Sequence, residues 1–265
     1  MSNWLRFRLI PELENTTTEE ALVSNISRFA NSQNAVRQSD LSANKPFHVE
    51  IEKLSRSVYC PDGVSQWFYE RASGSYNTLL LRDGTTPARL KAIKDAIPPA
   101  RRITKTDLAK YINAWDRKPD IVSLGNQKNF DRFMADITSS DGSEIALPNV
   151  ADYKAMVVKA KIFRDTQKLL RPMFPAFQAN VTAYTVAVLS GKLGDRIDLN
   201  HIWARQALSS ELLQQIAIWA REINDVLHKT ANGRMISEWS KKPECRDAVL
   251  GAHFTSAKRG IPEMR

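Results

Sequence analysis

From residue 150 onward, apolar residues recur every three or four positions, and that spacing commits the second half of the chain to helices. Leu212, Ile216, Trp219, Ile223 and Val226 trace one face, with the period of an amphipathic helix rather than a strand. Ser209 stands where an N-cap belongs and Gly233 where a helix should stop. Residues 174–189 are apolar nearly all round, the pattern of a buried helix, with Gly191 and Gly194 to end it. Asp198 caps a short helix carrying Trp203. Residues 235–239 and 243–250 read as two more short helices. Lys241 and Lys242 separate them, a poor match to the tight turn of a helix-turn-helix. Residues 258–265 read as a mobile tail.

The helix over residues 151–170 carries the clearest charge pattern. At about 100° per residue, Lys154, Lys161, Arg164, Lys168 and Arg171 fall on one arc. Met156, Val158, Ile162, Phe163, Leu169 and Leu170 lie opposite, and Val157 interrupts the arc. Five cations of one sign differ from the mixed signs of an ordinary salt-bridged face. The net charge of the chain is +9, unevenly spread. Residues 1–150 hold 20 Lys and Arg against 18 Asp and Glu, while residues 151–265 hold 18 against 11. The basic character therefore sits in the C-terminal half, where it would attract a polyanion, nucleic acid foremost.

The first half is mixed. Residues 4–10 alternate apolar and basic side chains up to Pro11, a short strand. Thr16 to Glu20 form a capping box before a helix over residues 18–29. Asp40 to Asn44 suggest one turn of helix stopped at Lys45-Pro46. Phe47, Ile51, Leu54 and Val58 give the next stretch a helical register. Residues 78–82 suggest a strand turning at Asp83-Gly84. Residues 87–96 form a charged helix broken by Pro98-Pro99, Thr104 opens another that runs to Trp115, and a third follows Gly125. The polar run at 138–143, with Pro148 beyond it, divides residues 1–145, a mixed α/β region, from a helical basic region at 150–265. The class is α+β, predominantly helical: a small mixed N-terminal region followed by a helical C-terminal region.

Residues 29–76 concentrate polar chemistry. Asn31, Gln33 and Asn34 place three amides within four positions, followed by Arg37 and then Trp67, Tyr69 and Arg71. Each amide brings donors and acceptors that cost free energy if buried unpaired. Such a segment either stitches an internal polar network or reads a polar ligand. Amides suit base edges, arginine suits phosphate or guanine, and aromatic rings stack on bases. A metal-dependent nuclease is the catalytic alternative, with Asp40, Glu52 and Glu70 holding Mg²⁺ and Lys53 nearby. The Glu-x-Glu-Lys spacing at residues 50–53 is not that of a common nuclease core. No other cofactor is expected. The four histidines are scattered, neither cysteine has a histidine neighbour, and no phosphate-binding glycine loop occurs. With no CxxC, no signal core and no apolar run near 18 residues, the sequence predicts a cytoplasmic protein that does not enter a membrane.

Several blocks together resemble the core of the AIPR family, bacterial abortive-infection phage-resistance proteins. They are residues 28–37, 39–48, 52–56 and 67–76, continued by 103–111, Ala114-Trp115 and 125–130, with further likeness as far as Trp239 and Cys245. The resemblance covers most of the chain. It implies antiphage defence without fixing a reaction. Members of the family are typically longer, with an upstream region holding a glycine-glutamine motif and, in some, a nuclease-like domain. This chain is expected to begin at the strand after that motif. It would then work with a partner protein or a missing upstream domain, as part of a larger or split assembly. The role expected is that of a nucleic-acid- or partner-binding module, a purely protein-binding scaffold being a further alternative.

Overall fold

The computed structural model describes residues 42–138 and 146–265. Among these residues there are twelve α-helices and a two-stranded sheet. A 3₁₀ turn at Ser42–Asn44 leads into α1 (Pro46–Ser57), where Pro46 occupies the first turn. Proline is tolerated there because that N–H has no helical partner anyway, so Pro46 starts a helix instead of stopping one. Phe47, Ile51 and Leu54 of α1 are buried, following the helical register.

Strand β1 (Phe68–Glu70) pairs in parallel with β2 (Arg102–Thr104), Tyr69 lying opposite Ile103. Between them come α2 (Ser75–Asp83) and α3 (Pro87–Ala96). The stretch expected as a strand, residues 78–82, is thus helical. Gly74 turns the chain with φ 81°, a conformation that costs glycine little. Its N–H donates to Glu70 Oε1, and the leucine-rich run then continues as helix, in keeping with its propensity.

Threonine 104 caps α4 (Lys105–Trp115) by accepting from the Asp107 N–H. Next come α5 (Pro119–Ser123) and α6 (Asn126–Asp136). The fully buried Asn113 amide donates to Asn129 Oδ1 at 2.8 Å, joining α4 to α6.

The second half is built on α7 (Val150–Leu170), whose start is fixed by a capping box between Asn149 and Asp152. It is followed by α8 (Gln178–Leu193), α9 (Leu199–Arg205), α10 (Ser210–Ala231), α11 (Ile236–Trp239) and α12 (Pro243–Leu250). Every residue from Val181 to Leu189 is buried. Thr182 and Thr185 within that run donate back to the carbonyls of Gln178 and Val181, so no hydroxyl is stranded. Gly194 ends the region at φ 50°. Helix α7 packs against α1, α4, α8, α9 and α10, so one core joins Ile51, Phe130 and Tyr153 to Leu189 and Trp219.

The end of the chain is docked, against the expectation of a mobile tail. Ile261 and Glu263 are buried, and Met264 bridges to Ile197. Both Glu263 oxygens accept from Ser209, one from its N–H and one from its hydroxyl, each at 2.6 Å. The carboxylate therefore sits at the start of α10, where unpaired N–H groups and the helix dipole favour negative charge.

Candidate functional site

A groove of about 500 Å³ lies between the Pro99–Arg101 turn and the outer side of α7. Trp67, Arg101, Lys161, Arg164, Lys168 and Gln206 line it. Two features read separately from the sequence meet here: Trp67 of the aromatic block and three cations of the 154–171 arc. Their junction is a cation–π contact, the Arg164 guanidinium lying 5.8 Å from the Trp67 ring centroid.

Arg164 is hydrogen-bonded through each of its three nitrogens. Its Nε donates to the Tyr111 hydroxyl at 2.9 Å, and its two terminal nitrogens donate to the carbonyls of Ala100 and Arg102. Helix α7 thereby holds both flanks of Arg101. The Arg102 side chain turns elsewhere, to Glu70 at 3.3 Å and over the Tyr76 ring. Arg101 and Lys168, on opposite walls, have no ion-pair partner among the described residues. Lys161 pairs with Asp165 at 2.9 Å, a single carboxylate against the four cations lining the groove.

Trp67 is only 5% exposed, and its Nε1–H donates to Gln206 Oε1 at 2.9 Å. Gln206 closes α9 in the left-handed region at φ 50° and also donates its amide to the Trp203 carbonyl. Of the remaining arc, Lys154 lies over the Trp203 ring, and Arg171 is exposed just beyond α7.

The other residues singled out from the sequence lie elsewhere. Tyr69 is 2% exposed, and its hydroxyl is 2.6 Å from His48 Nδ1 in the core. Arg71 donates to Glu52 at 2.5 Å, to the Ala43 carbonyl and to Asn44 Oδ1, tying the Ser42–Asn44 turn to α1. Glu52 is shared by Arg56 and Arg71, and Glu70 by Arg102 and the Gly74 N–H. Asn31, Gln33, Asn34, Arg37 and Asp40 lie outside the described residues. Among the described residues, no group of three or more His, Cys, Asp or Glu side chains is arranged to hold a metal ion, and no helix is long and apolar enough to cross a membrane.

Arg101 and Gln206 escaped the sequence reading. Arg101 had a faint signal, an Arg-Arg pair directly after the helix-breaking Pro98-Pro99. Gln206 had none, because its role depends on where Trp67 arrives from 139 residues away.

The model of the AIPR protein family matches residues 7–231, which include β1, β2 and every element that lines the groove. The chain belongs to the AIPR family. That membership suggests a role in abortive infection, a form of antiphage defence. No curated protein and no solved structure matches the chain.

Proposed function

We propose that this AIPR protein acts in antiphage defence as a binding module that engages nucleic acid through the groove beside α7. One observation carries the reading: Arg101, Lys161, Arg164 and Lys168 converge on a single concave surface in a chain of net charge +9. Cations gathered in a groove concentrate potential and release counterions from a polyphosphate, which gives affinity that falls steeply with salt. The glutamate side chains offer less support for the metal-dependent nuclease, since Glu52 and Glu70 are already occupied by arginines. The test is binding of labelled DNA and RNA across a salt series, with Mg²⁺ present in one arm to expose cleavage. Lys161→Glu with Lys168→Glu should abolish binding. Affinity unchanged by that double variant, or flat against salt, would sink the reading.

A partner-binding role has its own support. Leu81 on α2 is 83% exposed, and α3 has no buried residue. An apolar side chain on such a thinly anchored helical pair suits a second polypeptide. Under this reading, Leu81→Glu would abolish protection in a phage plating assay while leaving nucleic-acid affinity and thermal unfolding unchanged. Retained protection would remove α2 and α3 as the partner surface.

A further inference from the structure

Resting on the nucleic-acid reading above, we infer that the groove grips the phosphate backbone of a duplex without reading bases, through Arg101 and Lys168, and that Arg164 is a positioning residue for Arg101. The division of labour follows from the hydrogen bonds. Three of the five N–H donors of Arg164, one on each nitrogen, go to Tyr111 and to the carbonyls on either side of Arg101. A guanidinium pinned at all three nitrogens cannot turn to meet a phosphate, and its planar fork serves the turn instead. What it does is fix the backbone of the Pro99–Arg101 turn against α7. With Arg102 drawn away to Glu70, Arg101 is the arginine of this pair that lines the groove, on the ridge between it and the hollow beside Asp62, whose carboxylate feels its charge. Lys168 stands on the other wall, exposed on the last turn of α7. Among the described residues these two are the groove cations held by neither a carboxylate nor a backbone carbonyl, since Lys161 is tied to Asp165 and Arg164 to the turn.

The absence of base reading follows from Trp67. Single strands are held largely by stacking their bases on open aromatic faces. Trp67 is the aromatic side chain lining this groove, it is 5% exposed, and Arg164 lies against its ring. Its indole N–H is spent on Gln206. Among the described residues lining the groove no stacking platform remains, so affinity there comes from charge. A duplex carries about one charge per 1.7 Å of its axis, more than a single strand offers, and a purely cationic groove therefore favours it.

The experiment is fluorescence anisotropy on the full chain with a 20-base-pair duplex and one of its strands, over a series of salt concentrations. The wild type should bind the duplex more tightly. Arg101→Gln should lower the log–log salt slope by about 1 and weaken binding about tenfold at 0.1 M salt. Arg164→Lys keeps the charge but lacks the planar fork that spans Tyr111 and both carbonyls, so it should lower the slope equally. Adding it to Arg101→Gln should cause no further drop. A bystander that only stabilised the fold would leave the slope alone. If Arg164→Lys does not fold, the surface variant Arg101→Gln decides by itself. Tighter binding of the single strand, or an unchanged slope in Arg101→Gln, overturns this inference while leaving nucleic-acid binding intact. Binding of neither probe at low salt overturns both.

Discussion

Arg164 reaches across 62 residues of sequence to hold the Arg102 carbonyl and across 64 to hold that of Ala100. A hydrogen bond to a charged group is worth about 1.5–3 kcal/mol, and removing one partner also strands the other. Arg164→Ala should therefore destabilise the fold by about 2–4 kcal/mol in urea unfolding. Arg164→Lys should recover only part of that. His48 makes a second prediction at this scale. It is fully buried against Tyr69 and Phe130, and burial, reinforced by the positive charges of Lys105 and Arg71, pushes its imidazole down to about 3. The folded state thus binds fewer protons than the unfolded chain below pH 6.5. Stability from this group is complete above pH 6.5 and is lost as pH falls toward 3, by at most roughly 1.4 kcal/mol per pH unit. Urea midpoints measured between pH 7 and 5 should fall in the wild type, and the slope should flatten in His48→Gln.

Helix ends set the element scale. Thr104, Asn149, Asp198 and Ser209 each accept N–H groups at the start of a helix, where the sequence or its spacing already pointed to one. Capping is local chemistry over three or four residues, so it can be read without knowing the fold. Asn149→Ala should cost about 1 kcal/mol of stability by removing the capping box of α7. What failed at this scale was non-local. Residues 78–82 were too short to show a period, and their helical state is set by Gly74 and by the Glu70 carboxylate. The tail has no local signal of order because its order comes from Ser209, 54 residues earlier. Glu263→Ala should lower the unfolding free energy by about 1–3 kcal/mol, since it leaves the Ser209 N–H and hydroxyl without their acceptor. A mobile tail would give no change in the same urea titration.

At the scale of the molecule, α7 belongs to both parts of the described chain. It carries Tyr153, whose hydroxyl donates to the Trp67 carbonyl, and it packs on the buried helix α8. With a core continuous from Phe47 to Ile261, unfolding should be a single cooperative transition. Tryptophan fluorescence and far-ultraviolet circular dichroism should give coincident urea curves. Separate transitions would mean that the two parts fold independently. The charge arc and the aromatic block were each visible in the sequence, because composition and helical period are properties of short windows. Their meeting in one groove was not. Whether a lysine on that arc faces solvent, pairs with Asp165 or lies over Trp203 depends on what packs beside α7. By itself, then, the sequence determined a mostly helical chain, the starts of several of its helices, its likeness to the AIPR family and an excess of positive charge in its second half. The tertiary structure decided which cations remain unpaired, that Trp67 is covered, and that Arg101 shares a surface with Lys168. Those outcomes rest on contacts between residues far apart in the chain, and no local pattern encodes them.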